Sequence, residues 1–190
     1  MFIENIKKYL DESGSDKQSD HNYSMAYDTL LSDKKIDNML EIGIANFVPE
    51  KSSLWAWANI FPNANVYGID IVPEKMIESE RIKTFIVDQS SEEQLNNFKD
   101  SLDVTFDFIL DDGSHVFEHA WLTFTKLFGC LSEGGIYLIE DIQKDKLNWQ
   151  QSISEWAYVL DNITGIKYVI VDCLPEKNDD SVVIGIWKDA

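Results

Sequence analysis

Positive charge is scarce in this sequence. Lysine and arginine total 16 residues against 34 aspartates and glutamates, the formal net charge is −18, and Arg81 is the only arginine. Proteins that bind nucleic acids need a basic surface to neutralise phosphates, and anionic membranes attract the same kind of surface. The composition therefore argues against nucleic acid and membrane partners.

Cysteines and long apolar runs are also scarce. Cys130 and Cys173 are the only cysteines, and their sequence context favours free thiols in a reducing compartment. No apolar run approaches the length of a membrane span, and residues 1–10 lack the apolar core of a signal peptide. The sequence therefore predicts a cytoplasmic protein, and it leaves the formation of a homo-oligomer open.

The sequence does contain a regular alternation of strand signals and amphipathic segments. Strands are predicted at residues 39–44, 66–71, 84–87, 106–110, 136–139, 168–171 and 182–187. Helices are predicted at 2–10, 23–31, 54–60, 91–99, 116–128 and 153–160, with polar turns or loops at 11–20, 45–51, 132–135 and 175–180. This pattern is typical of an α/β fold with a mostly parallel seven-stranded sheet, helices on both faces and an antiparallel C-terminal strand.

The strand predicted at 106–110 ends in a polar cluster. Residues 111–115 read Asp-Asp-Gly-Ser-His, and a helical pattern begins at Val116. In open α/β sheets, ligands bind outside the carboxyl ends of strands, so this cluster is a candidate active site. A plain turn followed by a helix cap is the alternative interpretation.

Three carboxylates end two successive predicted strands. Asp112 follows the strand at 106–110, and Glu140 and Asp141 follow the strand at 136–139. If the two strands are neighbours, the carboxylates converge, and all-oxygen ligands favour a hard cation such as Mg²⁺. His115 lies close enough in sequence to serve as a general base beside this cation. Solvated strand ends are the alternative.

The first strand and its turn form a candidate nucleotide-binding segment. Gly43 would let a ligand approach the backbone closely, and Asp70, at the end of the second strand, is placed to bind a ribose. Ala45 and Val48 occupy the second and third glycine positions of the dinucleotide-binding motif. The segment therefore disfavours an NAD enzyme and suits a ligand with ribose and adenine but no pyrophosphate, such as S-adenosylmethionine. A purely structural turn is the alternative.

Residues 115–119 also match the H-x-x-E-H pattern of one class of zinc proteases. His115 and His119 would share one face of a helix and could both bind zinc. The pattern begins at the start of a crossover helix, however, which is the wrong context for an active-site helix of that class.

Taken together, these motifs resemble those of class I S-adenosylmethionine-dependent methyltransferases. More narrowly, they resemble magnesium-dependent O-methyltransferases that modify macrolide sugars, of the mycinamicin and demethylmacrocin type. The resemblance rests on the segments Gly14–Lys17, His21–Tyr27, Leu40–Gly43, Tyr67–Asp70, Asp88–Ser90, Asp111–His115 and Ile139–Asp141.

The resemblance implies a Rossmann-like methyltransferase fold, in which residues 1–38 form a helical cap and residues 39–190 bind S-adenosylmethionine. Asp112, Glu140 and Asp141 would bind Mg²⁺, and His115 would take a proton from the substrate hydroxyl. The residues it implies around the cofactor are Glu41, Gly43, Asp70, Asp88, Gln89, Tyr23 and Tyr27. It assigns no secure role to Asp111, and Ala45 and Phe47 depart from the small residues common in the cofactor turn.

The function expected from this resemblance is methylation of a hydroxyl on a sugar or glycoside in antibiotic biosynthesis. Two alternatives remain open. The acceptor could be a phenol or catechol, or the chain could be a non-catalytic binding protein on the same scaffold, because fold alone does not establish chemistry.

Overall fold

The computed structural model describes residues 2–44, 52–174 and 180–189. Seven strands run in chain order as β1 Asn38–Ile42, β2 Asn65–Asp70, β3 Ile82–Ile86, β4 Phe106–Asp111, β5 Leu131–Ile142, β6 Ile166–Asp172 and β7 Val182–Lys188. The α-helices are α1 Phe2–Ser13, α2 Asp16–Ser19, α3 Ser24–Leu31, α4 Ser53–Ile60, α5 Glu92–Ser101, α6 Phe117–Leu127 and α7 Ile153–Leu160.

The strands form one sheet in the order β3-β2-β1-β4-β5-β7-β6. Strands β1 to β5 pair parallel with one another, and β7 pairs antiparallel with both β5 and β6. The chain reverses its direction of travel across the sheet between β3 and β4, so β1 and β4 are neighbours. Ligands of open α/β sheets bind at such a switch point, outside the carboxyl ends of the strands.

Helices cover both faces of the sheet, as predicted. One apolar cluster packs residues of α1, α3 and α4 against the sheet, and a second cluster packs α5, α6 and α7 against the other face. Consecutive residues of a strand point to opposite faces of the sheet, and Ile109 and Leu110 of β4 are both fully buried. The central strands are therefore covered on both faces, which explains their nearly continuous apolar sequence. The predicted fold class is confirmed.

Serine side chains set the start of several helices. Ser52 accepts a hydrogen bond from the Leu54 amide at the start of α4, and Ser91 does the same for Gln94 in α5. Ser152 and Glu155 form a capping box at the start of α7. Each such cap stabilises a helix by about 1 kcal/mol, because it satisfies an amide that has no partner within the helix.

Two predicted turns are wrong in part. Residues 16–19, predicted as polar turn, form α2, which the Ser15 side chain caps at the Lys17 amide. Residues 132–135 lie within β5, where the pairing with β4 shifts by several residues. Gly135 allows this, because a Cβ there would lie 3.1 Å from the Asp107 carbonyl oxygen.

Some predictions fall outside the described residues. They concern the predicted loop at 45–51, with Ala45, Phe47 and Val48, and most of the predicted loop at 175–180. Among the described residues, the helices are too short or too polar for any of them to cross a membrane. The cytoplasmic location stays a prediction.

Candidate active site

The turn after β4 packs directly against the turn after β1. The Asp112 amide donates to the Ile42 carbonyl at 2.9 Å, and Gly43 has a positive φ of 85°. A Cβ on residue 43 would lie only 2.0 Å from the Asp112 carbonyl oxygen. Glycine is therefore required at this position by the contact between the two turns, independently of any ligand.

A cavity of about 420 Å³ opens beside these turns, at the carboxyl ends of β1, β2 and β3. Gly43, Asp70, Asp88 and Gln89, all predicted to bind the cofactor, line it together with Gly113, Ser114 and His119. A larger and more open depression of about 570 Å³ lies between β3 and α5, without the predicted catalytic residues. The smaller cavity is therefore the candidate nucleoside site.

Asp70 bonds the backbone of its own turn and of the turn after β1. Its carboxylate accepts hydrogen bonds of 2.9 Å from the amides of Ile44 and Val72, and Lys75 Nζ lies 3.2 Å away. Asp88 is similarly bonded to the Ser90 amide and hydroxyl, which lower its pKa. These bonds fix both carboxylates at the mouth of the cavity.

Gln89 and Asp111 hold the 111–115 turn in place. The Gln89 side chain donates to Asp111 at 3.1 Å and accepts from the Ser114 amide at 2.6 Å. Asp111 is buried, also bonds Tyr137, and has a pKa raised to about 6 by burial. Asp111, to which the resemblance assigned no secure role, is thus the buried anchor of the turn.

Glu140 and Asp141 lie at an irregularity near the end of β5. The pairing with β7 shifts between Ile139 and Ile142, and Asp141 has a φ of 53°. Consecutive side chains of a regular strand point to opposite faces, whereas a bulge redirects one of them. The irregularity therefore explains how both carboxylates face the same N-terminal helices.

The buried carboxylate of Glu140 has two partners from the N-terminal segment. The Tyr27 hydroxyl donates to one oxygen, and Lys17 Nζ lies 2.5 Å from the other. Burial raises the pKa of Glu140 to about 7, although the charge of Lys17 opposes this shift. Tyr27, predicted to contact the cofactor, is placed by the structure beside Glu140.

Lys17 is the functional candidate that sequence reasoning missed. Its side chain is 1% exposed, and its ammonium contacts Asp112 and Glu140 and lies 3.5 Å from Glu41 Oε1. Burial by itself lowers the pKa of Lys17, but the three carboxylates outweigh it and hold the pKa well above its usual range. The only sequence signal was its place in the Gly14–Lys17 segment.

Glu41 faces this lysine rather than the cavity. Its carboxylate accepts a 2.7 Å hydrogen bond from Ser53, and burial raises its pKa to about 7 against the opposing charge of Lys17. The structure thus gathers Glu41, Asp112 and Glu140, from the ends of three neighbouring strands, around one ammonium group.

Asp141 lies among different partners. The Tyr23 hydroxyl donates to its Oδ1 at 2.6 Å, His115 Nδ1 lies 3.3 Å from its Oδ2, and His21 Nδ1 lies 3.7 Å from Oδ1. Burial and the charge of Asp112 raise the pKa of Asp141. The Asp141 carboxylate therefore lies between two imidazoles.

Backbone strain concentrates at the same corner. Among the described residues, the non-glycine residues with positive φ are Asn22, His115 and Asp141. Such conformations cost about 1–3 kcal/mol and accumulate at functional sites. Gln151 supports the strained segments, since its amide donates to the His115 carbonyl and its side chain to the Glu140 carbonyl, each at 2.8 Å.

Asp112, His115 and Asp141 form a group that could hold a metal ion. One ligand atom from each residue lies within 4.8 Å of the other two. The buried Nδ1 atom of His115 lies 3.3 Å from Asp141 Oδ2 but makes no hydrogen bond within the described part of the chain. Two carboxylates beside a buried imidazole nitrogen that makes no hydrogen bond fit a divalent cation.

The structure does not place His115 and His119 as the zinc-protease pattern requires. His115 lies before α6 with a left-handed φ of 57°, so it does not share a helix face with His119. His119 Nδ1 instead contacts the Ser114 hydroxyl at 3.0 Å, on the side of the cavity. The two imidazoles thus serve different parts of the site.

Comparisons with known proteins show what the chain is similar to. No family model matches the sequence. The chain is 33% identical to 8-demethyl-8-alpha-L-rhamnosyl tetracenomycin-C 2'-O-methyltransferase from Streptomyces olivaceus, over 68% of this chain and 35% of the relative. It is 34% identical to mycinamicin VI 2''-O-methyltransferase from Micromonospora griseorubida, over 64% and 32%. The matched segment thus spans about a third of the curated relatives.

Solved structures extend the likeness to nearly the whole chain. The MycE methyltransferase of the mycinamycin pathway, in complex with Mg, SAH and mycinamycin VI, superposes with a TM-score of 0.75 at 22% identity. The match covers 97% of this chain and 53% of that one. The N-methyltransferase NodS from Bradyrhizobium japonicum WM9 matches with a TM-score of 0.59 and 14% identity, over 90% of this chain and 98% of NodS. The chain therefore has the Rossmann-like fold of the class I methyltransferases, and its sequence is similar to those that O-methylate the sugars of antibiotics.

Proposed function

We propose that the chain is an S-adenosylmethionine-dependent O-methyltransferase that uses Mg²⁺ and acts on a hydroxyl of a sugar or glycoside. One observation carries the proposal. The turn at 111–115 serves two sites at once, because Gly113 and Ser114 line the cavity while Asp112 and His115 belong to the metal-competent group. A nucleoside in the cavity and a cation at the carboxylates would therefore lie next to each other.

The donor groups suit S-adenosylmethionine and Mg²⁺. Gly43, Asp70, Asp88 and Gln89 line the cavity and are the proposed contacts of S-adenosylmethionine. Asp112 and Asp141 are proposed to hold Mg²⁺, as oxygen donors that a hard cation prefers. Glu140 is proposed as the third carboxylate, although Tyr27 and Lys17 occupy both of its oxygens in the present arrangement.

Glu41, Tyr23 and Tyr27 face the carboxylates rather than the cavity. Their predicted contact with the cofactor stays a prediction. The support for a role at the site is indirect. Tyr23 and Tyr27 donate hydrogen bonds to Asp141 and Glu140, and Glu41 pairs with Lys17.

His115 is the proposed general base. Its Nδ1 atom lies 3.3 Å from Asp141, which leaves Nε2 for an acceptor hydroxyl. When bound, S-adenosylmethionine supplies an electrophilic methyl group, and Mg²⁺ stabilises negative charge developing on the acceptor oxygen. His115 takes the hydroxyl proton, and the strained backbone, held by Gln151, keeps the imidazole aimed at the site. Positioning of the acceptor supplies much of the expected acceleration.

The test is a calorimetric titration of S-adenosylhomocysteine and then Mg²⁺ into chelator-treated protein, followed by an acceptor screen. We expect nucleoside binding, a separate Mg²⁺ isotherm, and methyl transfer to a glycoside that stops with chelator. Failure to bind the nucleoside would refute the proposal. Transfer to catechols but not glycosides would keep the activity and change the acceptor, whereas binding without turnover on any acceptor would favour a binding protein.

A further inference from the structure

A fully buried cation already lies among the carboxylates proposed to bind metal. Lys17 is 1% exposed, and its Nζ contacts an oxygen of Asp112 and lies 2.5 Å from Glu140 Oε2. Lysine is almost never buried to this degree unless it is paired. The ammonium thus lies between two of the three carboxylates predicted to bind Mg²⁺.

The same oxygens cannot serve both cations without competition. Asp112 belongs to the metal-competent group with His115 and Asp141, and its Oδ2 is the atom that Lys17 contacts. Both oxygens of Glu140 already accept hydrogen bonds, from Lys17 and Tyr27, so a metal there must share an oxygen with one of these donors or displace it. In addition, a positive charge a few ångströms away repels a divalent cation strongly in a buried, weakly screened environment.

We propose that Lys17 is an internal counter-ion that stands in for the divalent cation when the site holds no metal and that weakens metal binding when metal is present. The inference rests on the proposed Mg²⁺ site. Without metal, the ammonium offsets the repulsion among Glu41, Asp112 and Glu140 and so stabilises the fold. With metal, that compensation is no longer needed.

The position of Lys17 links this exchange to the N-terminal segment. Lys17 lies on α2, a short helix capped by Ser15, and the following residues bring His21 and Tyr23 to Asp141. Tyr27, on α3, reaches Glu140. Release of the ammonium by an incoming metal therefore loosens one of several ties between residues 15–27 and the strand ends.

The test compares Mg²⁺ affinity by calorimetry and Tm by thermal unfolding in the full chain, with chelator and with saturating Mg²⁺. Lys17→Met keeps a similar side-chain length and removes the charge. We expect it to bind Mg²⁺ at least about tenfold more tightly than the wild type. Its Tm should be lower than that of the wild type in chelator, and Mg²⁺ should close most of this gap.

Two further variants separate charge from packing. Lys17→Arg keeps the positive charge, and we expect its Mg²⁺ affinity to stay within about threefold of the wild type. Lys8→Met removes an exposed lysine of α1, whose only described ion pair is a 4.0 Å contact with Glu12. It should change neither the Mg²⁺ affinity nor the Tm, since surface pairs of this kind contribute little.

The outcomes distinguish this inference from the proposed function. If the wild type binds no Mg²⁺, both are overturned. If the wild type binds Mg²⁺ and a folded Lys17→Met binds it no more tightly, only the counter-ion role is overturned. If Lys17→Met does not fold in chelator, recovery of the folded state on adding Mg²⁺ supports the role, and failure to recover at any Mg²⁺ concentration overturns it.

Discussion

The carboxyl edge of the sheet has two halves that are organised by different kinds of contact. The cavity half comprises the cavity-lining turns with Asp70 and Gln89, and the carboxylate half comprises Glu41, Asp112, Glu140 and Asp141 with their partners. On the cavity half, polar side chains bond the backbone of neighbouring turns: Asp70 holds Ile44 and Val72, and Gln89 holds Ser114. On the carboxylate half, Lys17, Tyr23 and Tyr27 reach residues 95 to 123 positions away in sequence. The cavity half is therefore built by the strands and their own turns, whereas the carboxylate half forms only when the N-terminal helices dock.

The difference also concerns charge. The cavity is open, and its carboxylates are satisfied by amides and by the nearby Lys75. The carboxylate half buries Glu41 and Glu140 completely and offsets them with one ammonium. Burying charges is costly unless they are paired. We therefore expect changes in the cavity half to affect cofactor affinity, and changes in the carboxylate half to affect metal binding, stability and turnover.

The largest effect should follow Asp141→Asn, on the carboxylate half. This variant is isosteric but removes the charge that lies between His115 and His21. We expect methyl transfer to fall by about 100-fold or more and Mg²⁺ affinity by at least about tenfold, because a metal ligand and the partner of the base are both weakened. S-adenosylhomocysteine affinity should change little in the calorimetric titration.

The matched control for Asp141→Asn is Asp145→Asn, a few residues further along the chain and exposed. It should retain wild-type turnover and Mg²⁺ affinity. Equal losses in the two variants would indicate a general effect of negative charge rather than a role of Asp141.

A second prediction tests the cavity half. Asp70→Asn weakens the acceptor for the Ile44 and Val72 amides and removes the partner charge of Lys75. We expect S-adenosylhomocysteine affinity to fall by about tenfold or more, with Mg²⁺ affinity within about threefold of the wild type. Calorimetry on Asp70→Asn and on the exposed control Glu74→Gln measures both. If Mg²⁺ affinity fell as far as nucleoside affinity, the two halves would not be separable.

The cavity half and the carboxylate half also differ in how far they could be predicted from the sequence. The apolar strand at 106–110 and the polar cluster after it located β4 and its turn, because a fully buried strand reads as a continuous apolar run. Gly43, Asp70, Asp88 and Gln89, which were expected around the cofactor, lie along one cavity, since their positions depend only on where strands end. Their contact with the cofactor stays a prediction.

The role of Lys17 could not be read in this way. A lysine in a polar segment is normally exposed, and its burial here depends on carboxylates from three distant strands. The irregularity at Asp141 was hidden for a similar reason, because a shift in strand pairing depends on the partner strand. Ser15 was a local signal for α2, as a serine side chain before a polar turn is a common helix cap.

A pH titration sharpens the contrast in buried charge. The pKa of Glu41 is about 7 in the folded protein and about 4.5 in the unfolded chain. A carboxyl group with a raised folded pKa favours folding most at low pH, and this contribution is lost as pH rises from about 4.5 to about 7. Glu41→Gln removes this contribution to the pH dependence, which amounts to up to about 3 kcal/mol in the free energy of unfolding.

The measurement is the free energy of unfolding in chelator, by urea titration at several pH values. Relative to the wild type, the Glu41→Gln variant should gain stability from about pH 4.5 to about pH 7 and then keep a constant difference. Glu74 is exposed, so the stability curve of Glu74→Gln should run parallel to that of the wild type across the whole pH range. A Glu41→Gln curve that also ran parallel to the wild type would show that Glu41 titrates normally.

The smallest effect concerns a single hydroxyl that joins the N-terminal helices to the sheet. Tyr27 is buried, its hydroxyl donates to Glu140, and its ring packs edge-on against Trp57 at 5.0 Å. Tyr27→Phe keeps the ring contact but leaves a buried carboxylate oxygen without its donor, so we expect a loss of about 1–2 kcal/mol in the free energy of unfolding. Tyr158→Phe, at a residue 75% exposed, should change it by less than about 0.5 kcal/mol. Because the described hydrogen bond of this hydroxyl goes to the carboxylate half, S-adenosylhomocysteine affinity should stay unchanged in Tyr27→Phe. A fall in that affinity would mean that the docked helices support the cavity half as well.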